Sequence, residues 1–549
     1  MAALKGRMVS ADTYLYPDDD LGSLPQHFRL ATPRNGLPGF QVMVAAEGSA
    51  TLSTSDPCFS AEIYRLRAIP VEYNTGDGKE QGGAMVLQDR PAVRPAYATR
   101  LAPFHVYDCL EPAPSGRITS ESGRCGWYVC LAPKADLEPG MYSIPLCITA
   151  AEAIHKMTIE ITVFDVMIPE SDFDVTNWFS LDAISRCHDV AFGTPAYFAV
   201  LRRYADAMKR ARQTCYYLGI DEHCIASRDP MTFDFSFLKP LIEVFRAAGL
   251  STLEIGPLLS RGFRADGSPD MYTDTFRCAA DPSIPFESIE GYALTSRFLQ
   301  ALAVFLRDIG LDEDVIFHIH DEPDIHVPDE ACLANRRRQY YQAVCMLKKH
   351  LPKARVIEAV GSATFLGGID IWVPGTPAYE AKQAVFDELR KTGDAVWTYV
   401  CCGPEGFWLN RFLDKPVIQS RLLFWGCAAY RLAGYLHWGF NQFPEGMDPY
   451  VATACFNPTG IGTSFPCGDA FLVYPGQDGP SLSLRLEAQR RGAEDVAMLQ
   501  AFLKRDPQAC DELIAEIFTN NYTYNDDPDH FAAVYERMLE VIDSLSSRA

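Results

Sequence analysis

The stretch Val315-Ile-Phe-His-Ile-His-Asp-Glu-Pro-Asp324 sets an apolar run directly against two histidines and two adjacent carboxylates. Strand side chains alternate between two faces, so Phe317 and Ile319 are expected on one side and His318, His320 and Glu322 on the other. Asp321 follows where Pro323 stops the strand. Taking a charge out of water without a partner costs several kcal/mol or neutralises the group, so paired carboxylates at the mouth of an apolar strand need a reason. Acid–base catalysis supplies one: a carboxyl that holds a proton near neutral pH beside one that stays ionised. The bland alternative makes Asp321 a helix cap or ion-pair partner and Glu322 a solvated loop residue. A third reading takes His318-x-His320 and Asp321 as ligands of zinc or another divalent ion. The catalytic reading leaves the histidines as supports and calls for no metal and no cofactor.

Whatever the chemistry, flanking elements must hold that stretch. Beyond residue 173 the pattern becomes strand, then helix, repeated. Eight strands are expected at 175–181, 215–220, 252–256, 315–320, 355–360, 369–373, 395–401 and 434–441, with helices between most of them. Leu241 and Phe245, and then Leu299, Leu302 and Leu306, recur at helical spacing suited to packing on a barrel. Eight such units predict a (β/α)8 TIM-type barrel, whose functional groups come from the C-terminal ends of its strands. Those ends carry Trp178 and Asp182, Tyr217, Glu254, Asp321 and Glu322, Trp372, Tyr399, and Trp438 and Asn441. Aromatic and amide groups on one rim suit a sugar, which offers an apolar face and a set of hydroxyls. Each tryptophan taken singly is more often core than platform.

Upstream, runs such as Phe40-Gln-Val-Met-Val-Ala and Met157-Thr-Ile-Glu-Ile-Thr-Val-Phe164 alternate with period two between Gly, Pro, Asp and Ser clusters. They predict an antiparallel β-sandwich. The expected organisation is therefore multidomain: a sandwich over 1–168, the barrel over 174–505, and a helical extension over 506–549 packed on it. In that extension Phe531, Val534, Met538, Val541 and Leu545 form a packing stripe.

The net charge of −22 argues against a nucleic-acid or anionic-membrane partner, since both require a basic face. No apolar run reaches membrane-spanning length, and the first residues lack the apolar core of a signal peptide. The 17 cysteines are odd in number with no C-x-x-C pair, as expected of buried thiols in a reducing, cytoplasmic compartment.

The run Tyr435-Leu-His-Trp-Gly-Phe-Asn441, then Asp469-Ala-Phe-Leu-Val-Tyr-Pro-Gly476 and Arg485-Leu-Glu-Ala-Gln-Arg-Arg-Gly-Ala-Glu-Asp495, resembles the C-terminal part of glycoside hydrolase family 123 and its relatives. Those proteins join an N-terminal β-sandwich to a (β/α)8 barrel and include β-N-acetylgalactosaminidases. The family's Asp-Glu pair matches Asp321-Glu322. The resemblance implies retaining, substrate-assisted hydrolysis, in which the substrate's 2-acetamido oxygen attacks the anomeric carbon to give an oxazolinium intermediate. It implies Glu322 as general acid and then base, and Asp321 as the ionised group that orients the acetamido N–H. Tyr399 would donate to the acetamido carbonyl, with Trp372 and Trp438 enclosing its methyl group or stacking under the sugar. Trp178, His320 and Asn441 complete the expected substrate-binding set.

Retaining glycosidases otherwise use a carboxylate nucleophile, in many barrels a glutamate at the end of the seventh strand. Here that strand ends Tyr399-Val-Cys-Cys-Gly-Pro404, and Glu405 arrives only after the turn. The expected partner is a glycan or glycoconjugate, with homo-oligomerisation left open. The competing expectations are a metal-dependent barrel hydrolase and a barrel that binds carbohydrate without turnover.

Overall fold

The computed structural model describes residues 4–78, 85–151, 153–459 and 464–546. The extreme ends of the first and last expected segments lie outside the described residues.

The N-terminal region is mostly antiparallel sheet. One eight-stranded sheet runs in the order Gly22–Ser23, Lys5–Ser10, Gly39–Ala45, Arg124–Pro133, Phe59–Val71, Phe104–Pro112, Pro480–Ser483 and Tyr474–Pro475. A five-stranded sheet contains His27–Pro33, Ala153–Phe164, Gly140–Ala150, Ser49–Thr54 and Arg117–Thr119, with a single parallel pair between the first two. Period-two patterning does what it should: along Ala153–Phe164 the residues Met157, Ile159, Ile161 and Val163 are buried. They share a core with Val42 and Trp127 of the larger sheet. The last two strands of that sheet come from far downstream, Leu482 pairing with Leu110 and Ser483 with Cys109.

The eight parallel strands of the barrel are Asp174–Asn177, Cys215–Gly219, Thr252–Gly256, Ile316–Phe317, Arg355–Val360, Ile371–Pro374, Ala395–Tyr399 and Gly434–His437. They form a nearly closed ring, its seam spanned where Thr214 N–H donates to Val175 O at 3.0 Å. Alternation sorts the side chains into two layers. Ile316, Ile357, Ile371, Val373, Trp397 and Leu436 fill the interior, while Phe317, Ile319, Val356, Val360 and Trp372 pack under the helices. Trp397 requires Gly434 opposite it, because a Cβ there would lie 2.5 Å from the indole ring.

Several helices start at side-chain caps, which accept from backbone amides: Thr194 from Tyr197 N–H, Ser288 from Gly291 N–H and Asp329 from Cys332 N–H. Helix Gln419–Ala429 is buried almost throughout and lies against helix Leu484–Arg505. The second helix carries charge into the interior, each charge paired: Arg485 with Asp108, Glu487 with Arg210 and Arg490, Arg491 with Asp12, and Asp495 with Arg421. Since Asp12 and Asp108 belong to the N-terminal region, this helix joins that region to the barrel. No helix among the described residues is long and apolar enough to cross a membrane.

Candidate active site

The fourth barrel strand is shorter than its sequence predicts, and its shortness makes the site. The regular ladder stops at Phe317, after which His318 N–H still donates to Ile255 O at 2.9 Å. The next two amides, of Ile319 and His320, both donate to one side-chain oxygen, Oε2 of Glu358, at 3.2 Å each. The backbone then bends, and Glu322 adopts a φ of 52°, in the left-handed region that a non-glycine residue enters at a cost of about 1–3 kcal/mol. Guanidinium groups hold the far side of the bend. Arg261 Nη2 donates to Glu322 O at 2.9 Å, and the buried Arg336 donates through Nη1 to Pro323 O and Ile325 O at 3.2 and 2.8 Å. Asp324 ties the bend to the following loop by accepting from Gly361 N–H and Ser362 Oγ–H.

Tyr399, at the end of the seventh strand, donates its hydroxyl to Glu322 Oε1 at 2.6 Å. Burial and the Glu322 carboxylate push the Tyr399 phenol well above its ordinary range, so it stays a donor at any working pH. Asp321 is open to solvent yet ringed by protein. That crowding, with the charge of Glu322, pushes its pKa up to about 6, while Arg261 and His318 pull the other way. The raised value falls on Asp321, whereas the resemblance implies Glu322 as the group that starts protonated.

Below the mouth lies a line of buried charge. Glu254, between outward-facing Leu253 and Ile255, points into the barrel and accepts from Thr176 Oγ1, Trp178 Nε1 and His318 Nε2 at 2.7, 2.7 and 2.6 Å. His318 Nδ1 stands 3.4 Å from Glu358 Oε1. Burial works against its charge, but the two carboxylates raise its pKa to about 10, so it is an imidazolium at neutral pH. Trp178 stacks on Tyr217 at 5.0 Å, with His318 at its edge. On the other side, Trp438 Nε1 donates to Asp469 Oδ2 at 3.2 Å, and burial pushes the Asp469 carboxyl up to about 7.

The structure therefore brings Asp321, Glu322, Tyr399, Trp178 and Trp438 to the C-terminal end of the barrel, with Trp178 and Tyr399 capping the interior cluster. The other three expected residues are buried. Trp372 is completely buried on the helix side of its strand, with its indole N–H on Asp394 Oδ2, because its neighbours Ile371 and Val373 take the interior face. Asn441 is buried and latched to Ser180 through both backbone groups, fixing the end of the eighth strand to the loop after the first. His320 is buried against Phe276, ring centroids 4.1 Å apart, and kept neutral by burial and by Arg261 and Arg336. The metal reading fares no better geometrically, since both ring nitrogens of His318 face carboxylates. Among the described residues no group of three or more His, Cys, Asp or Glu is arranged to hold a metal.

Glu358 and Arg261 were not singled out from the sequence. Glu358 had a signal, a lone carboxylate inside the apolar run Arg355-Val-Ile-Glu-Ala-Val360. Arg261 had none, as it sits in a loop whose path only the fold decides.

The family model for the glycoside hydrolase 123 catalytic domain matches residues 178–502. Among solved structures, a family 123 glycoside hydrolase from Clostridium perfringens, described in terms of glycolipid glycan hydrolysis, aligns with a TM-score of 0.72 at 13% identity over 100% of this chain and 99% of that one. A family 39 glycoside hydrolase from Bacteroides cellulosilyticus WH2 aligns with a TM-score of 0.35 at 13% identity, covering 82% of this chain and 80% of that one. No curated protein matches the chain.

Proposed function

Because the chain belongs to glycoside hydrolase family 123, and so acts on glycans as a glycosidase, we propose that it releases β-linked N-acetylhexosamine, with N-acetylgalactosamine favoured, through an oxazolinium intermediate and with retention. The observation that carries this reading is the contact between Tyr399 and Glu322 beside Asp321. The end of the seventh strand, where many retaining barrels set a carboxylate nucleophile, presents a phenol donor instead. The first carboxylate after it, Glu405, lies near Gly403 and the Gly78 backbone of the N-terminal region.

In this reading Glu322 protonates the departing oxygen and then, as a base, activates the water that opens the oxazolinium. Asp321 has a pKa of about 6 and is therefore mostly ionised at pH 7. It accepts the acetamido N–H, turning the carbonyl oxygen toward the anomeric carbon, and faces the positive charge that grows on the ring. On substrate binding Tyr399 turns its hydroxyl from Glu322 Oε1 to the acetamido oxygen, and Trp178 and Trp438 offer apolar surface at the mouth. The test is a panel of aryl β-glycosides of N-acetylgalactosamine, N-acetylglucosamine, galactose and glucose. Turnover confined to the two N-acetyl sugars is expected, together with tight competitive inhibition by the matching thiazoline. Equal turnover of galactose or glucose, or a lasting 2-fluoro-sugar adduct on Glu405 by intact mass, would replace the acetamido group by a protein nucleophile.

A further inference from the structure

Two adjacent residues of a straight strand point to opposite faces, so Asp321 and Glu322 can serve one substrate only if the backbone leaves strand geometry between them. The chain leaves it at a definite place. Up to Phe317 the fourth strand pairs with main chain on both sides, Ile316 opposite Glu254 and Arg355, and Phe317 opposite Ile255 and Val356. Beyond His318 the acceptor is no longer a carbonyl of a neighbouring strand but the Glu358 carboxylate, which takes the amides of Ile319 and His320 on a single oxygen. A buried amide must be paired, and pairing both with one side chain satisfies them without extending the ladder.

Glu358 is itself held in place. It is fully buried, accepts from Tyr340 Oη at 3.0 Å, and lies beside the imidazolium of His318. Burial raises the Glu358 pKa, and the imidazolium of His318 beside it works the other way.

We infer that Glu358 is a positioning residue for the reaction: by accepting the Ile319 and His320 amides it ends the strand and aims Asp321 and Glu322 at a common substrate. The inference rests on the reading of Asp321 and Glu322 as the working pair. It adds a residue that touches neither the substrate nor the reacting atoms.

Two measurements on the full chain test it. Hydrogen exchange at the Ile319 and His320 amides should be slow in the native protein and at least about tenfold faster in Glu358→Ala, because the deletion strips both amides of their acceptor. With the best aryl glycoside, Glu358→Ala should lose about 100-fold in kcat while KM changes little, as expected when reacting groups shift by about 1 Å without loss of the sugar contacts. Glu358→Gln, which retains a carbonyl acceptor, should recover most of that loss. Glu358→Asp keeps the charge but falls one methylene short, and should not. If Glu358→Ala fails to fold, the contrast between the Gln and Asp variants decides the matter alone.

A folded Glu358→Ala with native kcat, exchange at the two amides unchanged, or a kcat loss that Asp restores and Gln does not, would each overturn the inference. A native enzyme that turns over no 2-acetamido glycoside would instead remove the proposed function. That failure is visible before any variant is made, and the exchange measurement would still report on the clamp.

Discussion

Glu322 combines a left-handed backbone with a carboxylate pinned by Tyr399, while Asp321 beside it stays open to solvent at a pKa of about 6. The proposed mechanism gives these two chemically similar groups different roles, and substitution should separate them. Glu322→Gln is expected to lose about 100-fold or more on substrates with poor leaving groups and little on dinitrophenyl glycosides, because only departure without protonation escapes it. Asp321→Asn should slow every substrate, since stabilising the oxazolinium does not depend on the leaving group. Steady-state rates across a leaving-group series read both effects. The pH profile gives a second handle. The Asp321 pKa is raised to about 6, so the ionised form is dominant above that value and lost below it, and kcat/KM should fall about tenfold per pH unit on the acid side of 6. The residual rate of Asp321→Asn should lack that limb; a limb that survives belongs to another group. At this scale the carboxylate pair was legible because charge against an apolar run is a local signal. Trp372 lies on the helix side because sequence marks a strand's end more clearly than the face each residue takes, and a buried indole looks the same in either layer.

All eight barrel strands begin within two residues of where alternation and apolar runs predict. The first, fourth and eighth strands all end three or four residues short; in the fourth, predicted as six residues and found as Ile316–Phe317, the Glu358 carboxylate takes the place of the ladder. Nothing in a single sequence distinguishes a carboxylate that accepts backbone amides from one that faces water. The pairing of helices Gln419–Ala429 and Leu484–Arg505 was likewise invisible, since the second helix carries so many charged residues that it reads as exposed. Its close approach depends on Gly492, where a Cβ would lie 2.8 Å from Phe424 Cδ2 and 3.0 Å from Arg421 O. Gly492→Ala is therefore expected to destabilise the protein by about 1–3 kcal/mol through overpacking, despite the better helix propensity of alanine. Urea unfolding measures it, and a stabilised variant would mean the helices separate freely.

The whole molecule is tied together by ion pairs and by one short strand. Arg485 and Asp108 are both completely inaccessible and link the closing helix to the N-terminal sheet. Arg485→Met should cost about 3–5 kcal/mol by leaving Asp108 buried without its counter-charge, whereas Arg485→Met with Asp108→Leu should recover much of it. Recovery in the double variant is the diagnostic outcome, and thermal melts of the four proteins supply it. The strand Pro480–Ser483, which lies on the partner side of Phe104–Pro112, has a bearing on how the protein is made. Translation proceeds at roughly 5–20 residues per second, and the two strands are about 370 residues apart, so a nascent chain carries an unfinished sheet for tens of seconds while the entire barrel is synthesised. An open edge of that kind invites pairing with other chains. Ribosome-arrested chains should accordingly remain protease-sensitive around Phe104–Pro112 until Ser483 has cleared the exit tunnel, then become resistant in one step. Biosynthesis at high local concentration is where this fold is most exposed, and a holdase that covers the waiting edge is the help it would need.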